Sequence, residues 1–297
     1  MRMPSSLLRR RAGEPAALGV VSLTFLLIVG FFYATMAWTI LMSFTRSKML
    51  PTYHLVGFEQ YVRLFSTERW NVAFKNMFVF GIGMVVVALA LGVLLAVLLD
   101  RNVRFEPALR TIFLYPMAMS FIVTGLAWQW MLSPGIGIQA FVRSFGWSGF
   151  SFDWLADPHL AVLTLVLAGV WHQAGLVMVI MLAGLGGVDR EIWRAATLEG
   201  IPIYRTYLSI VLPTLKPLVT VCVILLLEVV VKSYDLVVAL TGGGPGFASD
   251  LPARFVIDST FERGNLGLAC AGAVVMLVVV TTILVPYLSV QLRREGR

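Results

Sequence analysis

Three ionisable residues fall inside one apolar run that is long enough to cross a bilayer: Glu228, Lys232 and Asp235, spaced i, i+4 and i+7. On a continuous helix that spacing puts them on one face. Glu228 lies about ten residues into the run, roughly 15 Å deep and near the midplane. A charge there costs about 2.5–3.5 kcal/mol on insertion scales, so it seldom faces lipid. Two readings stand. Glu228 and Lys232 neutralise each other and lock helices together, or all three line a polar route. Trp171-His172-Gln173 lies at mid-depth in an earlier run. An aromatic face with hydrogen-bonding groups suits a neutral polyhydroxyl ligand, and the competing reading of His172 is a satisfied packing residue. Asn76, Gln129 and Tyr115 are weaker members of the same candidate pathway.

None of these groups makes a catalyst. The sequence holds no Ser/His/Asp arrangement, no HExxH and no paired catalytic carboxylates. It also lacks GxxxxGK[ST], and no Gly-Lys pair occurs anywhere. Nucleotide chemistry must then reside on a partner, and this chain is expected not to be an enzyme. No His/Cys cluster suggests a metal or other cofactor, and no group of intramembrane arginines suggests phosphate as cargo. Gly242-Gly243-Gly244-Pro245-Gly246 has the glycine content of a phosphate cradle, but it lacks the lysine and the strand–helix context. It reads as a tight turn shaping a docking surface.

The elements that must position these residues are set by composition. Of 297 residues, 59% are hydrophobic, 26 are glycine and only 13% are charged. A soluble domain is about 45–50% apolar with glycine counted, and about 25% charged. This chain could not hide its apolar surface in water, so a soluble enzyme, a disordered chain and a disulfide scaffold are excluded. Six runs satisfy the length of a membrane helix: 17–43, 72–99, 111–132, 161–186, 218–240 and 265–290. Helices are expected, because backbone polar groups must be satisfied without water. The first run follows Arg9-Arg10-Arg11 and is too long for a signal peptide, so it reads as an uncleaved anchor. Cys222 and Cys270 sit near opposite faces and are expected to be unpaired.

Basic residues set the orientation. The N-terminus, loops 100–110 and 187–217, and the tail from 291 carry 14 Lys and Arg, against 8 on the other side, counting Lys75. The richer side is expected to be cytoplasmic, with both termini inside. The net charge of +7 is thus membrane topology rather than nucleic-acid binding. Trp70, Trp128, Trp130 and Trp154 fall near the outer ends, as interfacial aromatics do. The first outer loop, with Tyr53, Phe58, Tyr61 and Phe65, is expected to fold against the bilayer surface. The whole chain, 1–297, reads as one transmembrane domain.

Loop 187–217 carries the strongest local signals. Asp189 suits an N-cap for a short helix through Leu198. Gly200 suits a left-handed C-terminal residue, and Pro202 the first turn of a second helix ending near Pro213 and Pro217. Ile192, Ala195, Ala196 and Glu199 are expected to share a face, the paired alanines admitting another backbone. This stretch resembles the "EAA" loop of permease subunits from bacterial binding-protein-dependent ABC importers, whose pattern is Glu-Ala-Ala-x-x-x-Gly followed by Ile-x-Leu-Pro. Here it reads Arg194-Ala195-Ala196, then Gly200, then Ile210-Val211-Leu212-Pro213. Glu199 stands where the family has Asp, and Arg194 where it has Glu, a charge reversal that leaves the family's usual ion pair to the ATPase without its acid.

Ser43-Phe44-Thr45, Val56-Gly57-Phe58 and Thr241-Gly242-Gly243-Gly244-Pro245-Gly246 also look like sugar-permease patterns, the last of the maltose-type subunit. The chain stops soon after the sixth run, again as in that subunit. Residues 111–132, 153–158 and 228–264 are most similar to permeases for glucose/mannose and α-glucosides. The resemblance implies a type I ABC importer permease fold with six transmembrane helices in the bacterial inner membrane. It implies one half of a heterodimeric pore, with a second permease, two ATPase subunits, an external sugar-binding protein and lipid as partners. Arg194, Ala195, Ala196, Glu199 and Gly200 would then couple to the ATPase. The alternative is a proton- or ion-coupled secondary transporter using Glu228, Lys232 and Asp235.

Overall fold

The computed structural model describes the backbone of residues 5–101 and 103–295, and side chains within 21–101 and 103–285 together with Ser289. The arginines at 9–11 and the tail side chains from 291 lie outside the described side chains. Among the described residues the regular structure is helical apart from an isolated bridge between Thr45 and Leu55, with turns and loops between the helices. Its helices are α1 (Ser5–Ser43), α2 (Glu59–Ser66), α3 (Glu68–Leu99), α4 (Glu106–Ala118), α5 (Phe121–Leu132), α6 (Ile138–Ser144) and α7 (Ala161–Gly186). They continue as α8 (Arg190–Leu198), α9 (Ile203–Thr214), α10 (Lys216–Val231), α11 (Tyr234–Leu240), α12 (Pro252–Phe261) and α13 (Leu266–Glu295).

Four stretches are long and apolar enough to cross a membrane alone: Val21–Ser43, α3, α7 and Leu266–Val285. Two bent pairs bring the number to six among the described residues, α4 with α5 at 100° and α9 with α10 at 73°. The long contact of α3 with α7 forms the middle of the molecule. There Phe80, Met84, Leu165, Met178 and Met181 are fully buried. By contrast α1 packs chiefly on α13 and exposes Phe25, Phe31 and Phe32. Such a surface is compatible with hydrocarbon or a partner helix and not with water.

Two of the six runs are interrupted in the structure. Run 111–132 breaks at Met119, where the backbone is extended and Ser120 N-caps α5 by accepting a hydrogen bond from Val123 N–H at 3.3 Å. Pro116, in the last turn of α4, lacks the N–H that would continue the ladder. Run 218–240 breaks at Lys232-Ser233, giving α10 and α11. The two half-helices α5 and α11 then cross closely. A Cβ on Gly125 would sit 2.6 Å from the Ala239 Cβ, so only glycine permits this approach.

The two ends of the bundle are distinct. At one, Tyr207 reaches Asp100, so loops 100–105 and 187–217 adjoin. At the other, Arg69 and Asn76 reach residues 248–258, and Gly267 N–H donates to the Ser47 carbonyl. Trp70 is fully buried between Phe74 and Phe255 rather than interfacial. Its apolar neighbours outcompete the surface position expected from its place near a span end. Trp130 remains exposed. Tyr61 and Phe58 gather on Phe44, while Tyr53 and Phe58 stay largely exposed. Both cysteines are free and buried.

Candidate functional site: a projecting helix and a broken-helix hollow

Local chemistry builds the loop at 187–217. The Asp189 carboxylate accepts from the Glu191 N–H at 2.9 Å, satisfying an N-terminal donor of α8. At the other end Gly200 adopts φ +68°, the left-handed conformation that side chains disfavour. Ile201 N–H donates to the Ala196 carbonyl and Gly200 N–H to the Thr197 carbonyl, closing a Schellman motif. Pro202 is the N-cap of α9 rather than a residue of its first turn. The middle of α9, Thr206–Val211, is wound as a π-helix, and the helix ends at Thr214, with Leu215 its C-cap at the bend into α10.

Burial varies along the face that Ile192, Ala195, Ala196 and Glu199 share on α8. Ala196 is buried, and Ile192 and Trp193 are half-buried, Trp193 meeting the Tyr207 ring edge-on at 5.0 Å. Arg194, Ala195 and Glu199 point away, beside Leu198, which is 88% exposed. The buried ring of Tyr207 selects the inward side, and Ala195 and Glu199 lie exposed at its edge. Among the described residues neither Arg194 nor Glu199 has an ion-pair partner. Leu198 went unnoticed in the sequence. Its signal was an apolar residue directly before the polar Glu199-Gly200 terminus.

The membrane candidates do not converge. Lys232 Nζ donates to Glu228 Oε1 at 2.6 Å on an exposed flank. The break at Lys232-Ser233 interrupts the helix, so Asp235 does not continue the Glu228–Lys232 stripe. It instead lines a hollow of about 350 Å³ with Gln129, Tyr234, Ile122, Leu126, Val238 and Ala239, between α5 and α11. His172 and Gln173 are buried. His172 Nε2 lies 3.1 Å from the Met119 carbonyl, its Nδ1 lies 3.0 Å from Gln173 Nε2, and its ring stacks on Phe121 at 4.1 Å. These contacts clamp α7 to the break between α4 and α5. Trp171 is part-exposed and packs edge-on to Trp128 at 5.9 Å. Tyr115 is largely exposed.

Asn76 is engaged with a loop at the end of the bundle. Its Nδ2 donates to the Ala248 and Asp250 carbonyls, at 2.7 and 3.1 Å, so its amide hydrogens are committed to loop 241–251. The same loop holds Gly242 to Gly246. Thr241 Oγ1 accepts from Gly243 N–H at 3.1 Å, and Ser249 Oγ lies 2.6 Å from the Gly244 carbonyl oxygen. Buried beneath this turn, Arg69 donates to both Asp250 and Asp258, and Arg254 lies 3.4 Å from Asp250. The sequence reading missed this network, which joins residues 181 and 189 positions apart. Among the described residues no His, Cys, Asp and Glu grouping could hold a metal ion.

A bundle with broken helices, a projecting helix on one end and a rigid turn on the other describes a membrane transport subunit. Residues 88–294 match the family of binding-protein-dependent transport system inner membrane components, and the chain belongs to that family. It is 33% identical over 276 residues to a probable ABC transporter permease protein of Pyrococcus horikoshii, covering 92% of this chain and 94% of that one. It is 31% identical over 268 residues to the xylose/arabinose import permease XacH of Haloferax volcanii, covering 89% and 84%. Its fold is similar to a chain in the crystal structure of a bacterial ABC transporter involved in importing the acidic polysaccharide alginate. There the TM-score is 0.80 with 19% identity, over 97% of this chain and 98% of that one. The protein is an ABC-importer permease of the inner membrane. A proton- or ion-coupled carrier using Glu228, Lys232 and Asp235 has no support in this family, and the helix break parts Asp235 from the other two.

Proposed function

We propose that residues 1–297 act as a single permease domain, one half of a heterodimeric pore that imports a mono- or disaccharide. The carrying observation is the projecting face of α8, where Arg194, Ala195, Leu198, Glu199 and Gly200 are exposed on a rigidly capped helix. A separate pair of ATPase subunits docks there from the cytoplasm, the basic side of the chain. Their closure pushes α8 and α9, which bend directly into α10. Alternating access follows from a shift between two packings of the bundle. The cargo is of the glucose/mannose or α-glucoside type. The sugar-permease patterns at 43–45, 56–58 and 241–246 support carbohydrate, as does the sugar named for XacH.

The sugar passes along the face bearing Gln129, Tyr234 and Asp235, with Trp171 beside it. Broken helices at membrane depth commonly line a polar route. His172 and Gln173 hold α7 against the break between α4 and α5, while Glu228 and Lys232 neutralise each other within α10. An external sugar-binding protein docks on the turn at Gly242, Gly243, Gly244, Pro245 and Gly246. The test is uptake of labelled glucose and maltose into proteoliposomes holding the complete complex. Uptake that needs ATP inside and binding protein outside, and survives a protonophore, is expected. Uptake that collapses with the protonophore at constant ATP contradicts the proposal.

A further inference from the structure

The two polar junctions at opposite ends of the bundle share one helix. At the end with loop 187–217, the Tyr207 hydroxyl donates to Asp100 Oδ2 at 2.6 Å. Asp100 is the C-cap of α3. Tyr207 is buried, carries Trp193 of α8 on its ring, and has the Arg101 guanidinium 5.7 Å from its centroid. The projecting helix is thus tied to the last turn of α3 through the Tyr207 phenol. At the other end, Arg69 in the first turn of α3 donates to Asp250 and Asp258, and Asn76 two turns further holds the carbonyls of Ala248 and Asp250. Between these junctions α3 runs unbroken for 32 residues, about 48 Å at 1.5 Å per residue. The paths through α4–α5 and through α9–α10–α11 both contain breaks that can absorb displacement.

We propose that α3 is a strut transmitting motion between the ATPase-facing helix and the outer loop, with Tyr207 and Asp100 as positioning residues at its inner joint. This rests on the coupling reading of α8. An axial shift imposed on α8 moves Tyr207, then Asp100, and reaches the 247–258 loop through Arg69 and Asn76. The coupling is reciprocal, so a binding protein seated on that loop also biases the ATPase end.

The test uses the complete complex in lipid, with a spin label on Phe247→Cys, an exposed position of the outer loop. Addition of a non-hydrolysable ATP analogue should change the label's spectrum in the parent. Tyr207→Phe keeps the ring against Trp193 and removes the hydroxyl. It should retain the ATPase subunits and their basal hydrolysis, lose the spectral response, and reduce stimulation by binding protein about fivefold or more, the low end of typical allosteric coupling. An unchanged response in Tyr207→Phe overturns the strut. If that variant fails to assemble, Asp100→Ala opens the same joint from the other side and decides in its place. Leu198→Asp separates the two ideas: retained ATPase subunits and response in that variant would overturn the docking role of α8, whereas a lost response only in the joint variants supports the strut.

Discussion

Lys232 Nζ and Glu228 Oε1 lie 2.6 Å apart, one helical turn from each other, on a flank where both side chains are more than half exposed. The pair satisfies itself within α10, so its neighbours need supply no charge. In water such a pair is worth only about 0.2–0.5 kcal/mol. In an apolar setting, leaving one member alone costs far more, about 2.5–3.5 kcal/mol. The double variant Glu228→Gln/Lys232→Met should therefore transport within about twofold of the parent, whereas Lys232→Met alone, which strands Glu228, should lower the yield of assembled complex about tenfold or more. Co-purification and vesicle uptake measure both. Loss of sugar-stimulated hydrolysis in a well-assembled double variant would return the pair to the pathway.

Arg69 anchors the outer loop from the interior. Its removal leaves Asp250 and Asp258 buried with only the more distant Arg254 to answer them. Breaking a buried pair costs about 3–5 kcal/mol. Arg69→Ala should lower the melting temperature of the detergent-solubilised protein by several degrees. Arg69→Lys should recover only part of this, because an ammonium cannot present the fork that spans two carboxylates. Intrinsic tryptophan fluorescence during heating reads the change through Trp70, the next residue.

Gly125 sets the distance between α5 and α11. A side chain there meets Ala239 and the backbone of Leu240. Gly125→Ala should destabilise the protein by about 1–3 kcal/mol, the range for overpacking. Ala239→Gly in the same chain should recover much of the loss, since it empties the contact at 2.6 Å. Additive rather than compensating effects in a double-mutant cycle would show that the two helices do not touch there.

The fold class and the long apolar helices are legible in the sequence because hydrocarbon forces long apolar runs, whereas the short helices α2, α6 and α12 leave no such run. The loop at 187–217 is legible for a different reason. Asp189, Gly200 and Pro202 each act within a few residues, and local chemistry needs no knowledge of the rest. Partly readable was the break at Met119, where Pro116 and Ser120 are both visible. The break at Lys232-Ser233 carries no local signal and follows from the packing of α11 on α5. Asn76, Arg69 and Trp70 illustrate the remainder. Their partners lie about 170–190 positions away, and no spacing rule connects them. Which side of α8 turns inward is likewise decided by Tyr207, on the next helix.

In the proposed function α8 faces a nucleotide-hydrolysing partner from the cytoplasm. Gly200→Val should abolish that docking. A β-branched residue at φ +68° costs more than the roughly 1–2 kcal/mol paid by an ordinary side chain, and it unwinds the cap that aims the helix. The most direct measurement is a cross-link from Leu198→Cys, with a short bifunctional thiol reagent, in inside-out vesicles holding the complete complex. A covalent product with the ATPase subunit is expected there, lost in the Gly200→Val background and absent when a membrane-impermeant reagent is added instead to right-side-out vesicles. A thiol at position 198 that reacts from the outer face, or that forms no product with the ATPase in an actively hydrolysing complex, would contradict it.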